Sequence, residues 1–205
     1  GVSLVHRLFI SDLHLSEETP AIEAALRALL AREKELDALF ILGDFFEAWV
    51  GDDDDAPLAD RVRSQLRDFS QQGCEIFVAR GNRDFMLGER FASDIDGTLL
   101  QDETVMEVAG RPTLLLHGDT LCTDDVDYQQ FRALVHDPVW QAEMMTKPLQ
   151  ARRELARQLR EMSADAASNK PEDIMDVNQA AVEQQLQEAP VDRIVHGHTH
   201  RPARH

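Results

Sequence analysis

Five short stretches of this chain carry residue types that could do chemistry: Asp12-x-His14, Gly43-Asp44, Gly81-Asn82-Arg83-Asp84, His117-Gly118-Asp119 and Gly197-His198-Thr199-His200. Each follows an apolar run, so each reads as the polar end of a buried strand. On an extended segment alternate side chains point the same way, which lets His198 and His200 face one site, and Gly197 allows a turn before them. Taken singly, these residues have ordinary explanations: a helix cap for Asp12, a turn for Asn82, satisfied polar positions for His14 and His117, a solvated terminus for the last histidines. Asp12, His14, Asp44, Asn82, His117, His198 and His200 together, all expected at strand ends of one sheet, are harder to dismiss. Carboxylate, imidazole and amide oxygen suit manganese, iron or zinc better than calcium or a thiolate-bound structural zinc. The set is large enough for two ions sharing one carboxylate, and two ions roughly 3.5–4 Å apart activate a water and clamp the oxygens of a phosphoryl group.

The elements that must position these groups follow from hydrophobic pattern. Leu8-Phe9-Ile10, Leu39 to Leu42 and Ile76 to Ala79 read as buried strands. Helices are expected between them, from Pro20 to about Glu35 and from about Leu58 to Gln71, with Gly73 as the second helix's stop. This alternation predicts an α/β sheet with its site at the carboxyl edge of the strands. Thr104 to Val108 and Thr113 to Leu116 predict a hairpin around Ala109-Gly110-Arg111, and Arg193-Ile194-Val195 a last strand. The four acids Asp52 to Asp55 read as a solvated loop.

With 205 residues, 43% of them hydrophobic, the chain is expected to form one compact domain with a real core. A formal charge of -17 argues against a surface that wraps nucleic acid. Cys74 and Cys122 are too few and too separated for a disulfide framework or zinc knuckle, so a reducing compartment is expected. No secretion signal and no bilayer-spanning apolar run is read, which suits a soluble or peripheral protein.

Residues 124–188 lose the strand pattern. Phe131, Leu134, Val135, Val139, Trp140, Met144 and Met145 mark one amphipathic stretch broken at Pro138, Leu149 to Met162 a second, and Ile174 to Gln187 a third. Lys147, Arg152, Arg153, Arg157, Arg160 and Lys170 make part of this segment basic. Such a face suits a membrane surface or an anionic ligand, or is simply the wet side of a two-helix cap.

The series Asp12-x-His14, Gly43-Asp44, Gly81-Asn82-Arg83-Asp84, His117 and Gly197-His198-x-His200 resembles the calcineurin-like metallophosphoesterases. The resemblance implies a four-layer αββα sandwich with a helical lid at about 124–188. It assigns Asp12, His14 and His200 to one metal, Asn82, His117 and His198 to the other, and Asp44 as the bridge. Ile41 to Asp53, Gly81 to Phe85, His117 to Asp125, Ile174 to Asn178 and His196 to Pro202 are similar to one branch, the UDP-2,3-diacylglucosamine pyrophosphohydrolases of lipid A synthesis. That likeness implies two Mn2+ ions and water attack at the α-phosphorus, giving UMP and 2,3-diacylglucosamine 1-phosphate. It also implies a lipid-linked nucleotide substrate and a peripheral position on the cytoplasmic face of the bacterial inner membrane, with no nucleic-acid partner.

Arg83 argues the same way chemically. Many relatives carry His after the Asn of this motif, where it can protonate a basic alkoxide leaving group. A guanidinium cannot, but a phosphate leaving group scarcely needs a proton, and arginine can pair bidentately with a diphosphate. Asp44, Asn82, Arg83 and His117 are therefore the expected catalytic group. Substrate contacts carried over from the branch fall on Asn82, Arg83, Asp125, Ser163, Lys170 and His198, with Tyr128 and Arg160 beside them. Ala167 departs from a polar contact there, and the chain ends at His205 before further strands that the family continues into. The competing readings are another metallophosphoesterase acting on soluble nucleotides or diesters, and a non-catalytic scaffold.

Overall fold

The computed structural model describes residues 5–168, 170–188, 191 and 193–199, without the side chains of 163, 164, 166–168, 172, 173 and 188. The first half alternates as expected: β1 (Arg7–Ile10), α1 (Pro20–Arg32), β2 (Ala38–Leu42), α2 (Pro57–Gln71) and β3 (Glu75–Ala79). Two elements without a strong sequence signal follow, α3 (Glu89–Asp94) and the two-residue β4 (Thr98–Leu99). Both α1 and α2 begin at a proline, whose fixed φ and missing N–H suit the first turn. Helix α1 stops at Arg32, short of Glu35, and the Glu33 N–H closes it on Leu29 O.

Strands β1 to β4 form a parallel sheet in the order β1-β2-β3-β4. The hairpin β5 (Glu103–Val108) and β6 (Arg111–Leu116) belongs to a second sheet, with β7 (Arg193–Val195) parallel to β6. Its turn residues Ala109 and Gly110 both have positive φ, as a two-residue hairpin turn that matches strand twist requires.

Period-two alternation sorts the strand residues into layers. Leu39, Ile41, Ile76 and Val78 face a core shared with Leu26 and Leu30 of α1 and Val62, Leu66 and Phe69 of α2. Phe40, Leu42 and Ala79 face the other way, against Leu115 of the second sheet. Between the sheets Phe9, Phe40 and Phe77 stack in a ladder with centroids 4.7 Å apart at each step. Leu114 and Leu116 point outward onto Val182 of α8 (Gln179–Glu188). The layers are thus helix, sheet, sheet, helix.

The helical segment divides into α4 (Val126–Val135), α5 (Pro138–Met145), α6 (Leu149–Ser168), α7 (Glu172–Met175) and α8. Asp125 and Asp137 cap α4 and α5 through Tyr128 N and Val139 N. The expected continuous helix from Ile174 is interrupted, because Asn178 turns the chain. Its N–H donates to Leu121 O at 2.7 Å and its Oδ1 accepts from Ala181 N. Phe131, Val135, Trp140, Met144 and Leu155 join the core of the first sheet's helical side, whereas α8 forms the outer layer on the second sheet. No helix among the described residues is long and apolar enough to cross a membrane.

Candidate metal centre

The groups expected at the ends of one sheet come from two, which corrects that expectation. Asp12, Asp44 and Asn82 follow β1, β2 and β3, while His117 and His198 follow β6 and β7. Face-to-face packing of the sheets brings both sets of strand ends to one place. The backbone there is strained: Asp12, His14, Asp44 and His198 all have φ between 49° and 74°. Non-glycine residues in this region cost energy and cluster where side chains must be aimed.

Asp44 lies at the centre and is 1% exposed. Its Oδ1 accepts the Arg83 N–H at 2.9 Å. That leaves Oδ2 between two imidazoles, 3.7 Å from His14 Nε2 and 3.3 Å from His117 Nε2. Asp12 Oδ2 accepts from Ser11 Oγ and from the His198 N–H, and its Oδ1 lies 4.0 Å from His14 Nε2. Two donor groups result, Asp12-His14-Asp44 and Asp44-His117-His198, sharing Asp44.

The donor set fits cations. His117 Nδ1 donates to Leu42 O at 2.8 Å, which turns Nε2 inward, where a bound cation would take the place of its proton. Around that nitrogen stand Asn82 Oδ1 at 3.3 Å and His198 Nδ1 at 3.2 Å as well as Asp44. Asn82 with its oxygen inward faces only acceptors, an arrangement that a shared cation satisfies. A protein-only site would turn the amide so that its NH2 donates to Asp44 and His117. Electrostatics agree. Burial alone would disfavour charge, yet Asp44 raises the His117 pKa above its ordinary value, and His117 and His14 hold Asp44 far below the usual carboxylate range. Burial and the charge on His117 lower His198. His200 lies outside the described residues.

Three acids that the ligand pattern did not single out support the centre. Glu47 Oε2 is 3.0 Å from His14 Nδ1, the carboxylate–histidine arrangement that orients ligand rings. Asp84, 0% exposed, accepts four backbone N–H groups, from Gly81, Asp44, Phe45 and Phe46. It thereby ties the β2 and β3 loops together. Burial and the adjacent Asp44 push its pKa up against those bonds. Asp119 accepts from Tyr128 Oη at 2.8 Å and Arg132 Nε at 2.9 Å, joining α4 to the His117 loop. Asp84 and Asp119 stand in the motifs Gly81-Asn82-Arg83-Asp84 and His117-Gly118-Asp119, which were the sequence hints to such a role.

Asn82 and Arg83 also line a chamber of about 480 Å³, counting space open to solvent. Its walls are Trp49, Val50, Phe85, Met86, Phe131, Met144, Ala156 and Leu159, and Arg160 and Glu47 stand with Arg83 as its charged groups. Arg160 Nη1 is 4.0 Å and Arg83 Nη1 3.8 Å from Glu47 Oε1. Asp125 and Lys170 pair with each other at 2.6 Å. Tyr128 stacks obliquely near His198, centroids 5.2 Å apart. The side chains of Ser163 and Ala167 lie outside the described set. The basic segment is largely paired within the chain, as Arg157 is to Glu154 and Glu161.

Asp52 to Asp55 do not form the plain solvated loop expected of them. Asp52 accepts from Trp49 Nε1, Gly88 N and Phe91 N, so it holds the chamber's tryptophan and the start of α3. Asp53, Asp54 and Asp55 pair with arginines of α6.

The calcineurin-like phosphoesterase family model matches residues 6–202. A relative from Cellvibrio japonicus named UDP-2,3-diacylglucosamine hydrolase is 50% identical over 202 residues, covering 98% of this chain and 84% of its own. Proteins of the same name from Escherichia coli O7:K1 and Shigella dysenteriae serotype 1 are each 50% identical over 199 residues, covering 97% of this chain and 83% of their own.

Proposed function

This chain belongs to the calcineurin-like phosphoesterases, and from that premise we propose that it hydrolyses the pyrophosphate bond of UDP-2,3-diacylglucosamine, as the names of its relatives say of them. The products would be UMP and 2,3-diacylglucosamine 1-phosphate, formed by water attack at the α-phosphorus. The observation that carries this reading is the junction at Asn82 and Arg83, where a cluster of cation donors opens into an apolar chamber. A ligand filling both must carry phosphate at one end and hydrocarbon at the other.

Asp12, His14, Asp44, Asn82, His117 and His198, with His200, would hold two divalent ions, Mn2+ in our reading. Bound ions would supply Lewis acidity at the phosphoryl oxygens and a nucleophile at neutral pH. The chain's own part is positioning. Arg83 lines the chamber beside Asn82, where a diphosphate would sit, and cannot act as a proton donor. Trp49, Phe85, Phe131, Met144 and Leu159 would take the acyl chains and exclude water beside the reacting group. Exposed Val126, Leu134, Val139, Met145 and Met162, all on the cap helices, support docking at the cytoplasmic membrane surface from which such a lipid is drawn.

The test is hydrolysis of UDP-2,3-diacylglucosamine with Mn2+ in detergent and oxygen-18 water, beside an Asn82→Ala control. We expect label in UMP and loss of turnover in the control. Label in the lipid product would reject the regiochemistry, and cleavage of simple diesters without the lipid would reject the substrate.

A further inference from the structure

Arg152 is a charged side chain only 3% exposed and stands outside both donor groups of the metal centre. Its guanidinium binds the 50–53 loop and Lys147, just before α6, at once. Nε donates to Lys147 O at 2.9 Å, and Nη1 to Val50 O at 2.7 Å. Nη1 and Nη2 grip Asp53 with two parallel bonds of 2.8 Å and 2.6 Å. Beside it Arg153 Nη2 reaches Asp54 and Asp55 at 2.9 Å and 3.0 Å. On the other side of the acidic loop Arg63 of α2 donates to the carbonyls of Asp52 and Asp54 and lies 5.1 Å over the Trp49 ring.

The backbone is shaped for this arrangement. A Cβ on Gly51, whose φ is +143°, would come within 2.5 Å of Arg152 Nη1. One on Gly88 would come within 2.7 Å of Asp52 Oδ2. At Gly51 the positive φ and the close guanidinium both call for glycine, whereas at Gly88 the Asp52 carboxylate would have to give way.

Arg152 also fixes how α6 is turned. Ala156, Leu159 and Arg160 line the chamber and follow Arg152 at i+4, i+7 and i+8, the spacing of one helical face. Val50, which gives Arg152 a carbonyl, and its neighbour Trp49 line the same chamber. One guanidinium therefore joins two of the segments that line the chamber.

We propose that the Arg152–Asp53 pair is a positioning latch that sets the chamber's width between α6 and the Trp49-Val50 segment, and thereby selects for diacylated substrate without touching it. The selection rests on the acyl reading of the chamber given above. A bidentate pair holds angle as well as distance, so Lys at 152 would restore it only in part.

The test compares the unchanged chain with Asp53→Asn, Arg152→Met, Arg152→Lys and the exposed control Asp55→Asn. Two substrates are used, UDP-2,3-diacylglucosamine and the chain-free diester bis(p-nitrophenyl) phosphate, with amide hydrogen exchange in residues 149–162 as a second readout. Asp53→Asn is expected to raise KM for the lipid about tenfold with kcat within about twofold, leave diester cleavage unchanged, and speed exchange in α6. Arg152→Lys should fall between the unchanged chain and Arg152→Met, and Asp55→Asn should match the unchanged chain. Equal loss on both substrates, or no change in KM and exchange in Asp53→Asn, overturns the latch. An unchanged chain that cleaves the diester but never the lipid removes the acyl reading and the selectivity with it, while faster exchange in Asp53→Asn would still establish the mechanical pair.

Discussion

At the scale of the residue, the centre depends on acids that hold the backbone as much as on those that face the cations. Asp84 is the clearest case, since four N–H groups from two loops converge on one buried carboxylate. Asparagine there would set an NH2 against those donors. Asp84→Asn should lose about 2–4 kcal/mol of stability. Because its partners carry Asp44 and precede Asn82, Mn2+ affinity should fall roughly 10- to 100-fold. Urea unfolding and Mn2+ titration measure the two effects, and unchanged affinity would show that the loops keep their aim without it. Gly43 illustrates the same closeness. At φ +93° it leaves room that a Cβ would take from His117 Nδ1, 2.5 Å away.

At the scale of the element, α4 is fastened to the sandwich through charge. Arg132 binds Asp119 and also lies 3.6 Å from Asp102, which Arg80 and His136 approach as well. The His136 hydrogen bond, against the cost of burial and helped by Arg80 and Arg132, lowers Asp102 from 3.8 to about 2. A depressed carboxylate stabilises the fold above its unfolded pKa, and that contribution disappears as pH falls through the folded one. The stability gap between the unchanged chain and Asp102→Asn should therefore be fully present near pH 5 and shrink from about pH 4 to pH 2. Chemical unfolding at stepped pH checks this, and a gap that widens on acidification would contradict the assignment. Helices α1 and α2 and strands β2 and β3 were legible because apolar spacing, proline starts and polar strand ends agreed. Elements α3 and β4 were not. They are short, and α3 is held at its start by Asp52, a residue 36 positions before Gly88. The break at Asn178 was hidden for the same reason, since its partners Leu121 and Asp124 come from another part of the chain.

At the scale of the whole molecule, the two sheets make the site between them. A formal charge of -17 gathers enough carboxylate for cation binding, while the chamber stays apolar. Chelation should abolish hydrolysis, and Mn2+ should restore it. Ions that bind only the folded ligand set should also raise the unfolding temperature, by about 2.7 kcal/mol of added stability when present at 100 times Kd. Full activity after exhaustive chelation, or an unfolding temperature indifferent to Mn2+, would sink the metal assignment.

From residue types and spacing came the candidate donors, the strand ends that carry them and the helical segment after residue 124; the family came from the resemblance of the motifs. These are local properties: a strand's alternation, a proline's φ and a motif's order are written in neighbouring residues. Only the tertiary structure decided that the donors come from two sheets, that Asp44 turns one oxygen to both imidazoles, and that α8 is an outer layer. It alone paired Asp53, Asp54 and Asp55 of the acid run with the arginines of α6. Each of these depends on partners about 30 to 190 residues apart, as Asp12 and His198 are, and such distances are closed by packing rather than by pattern.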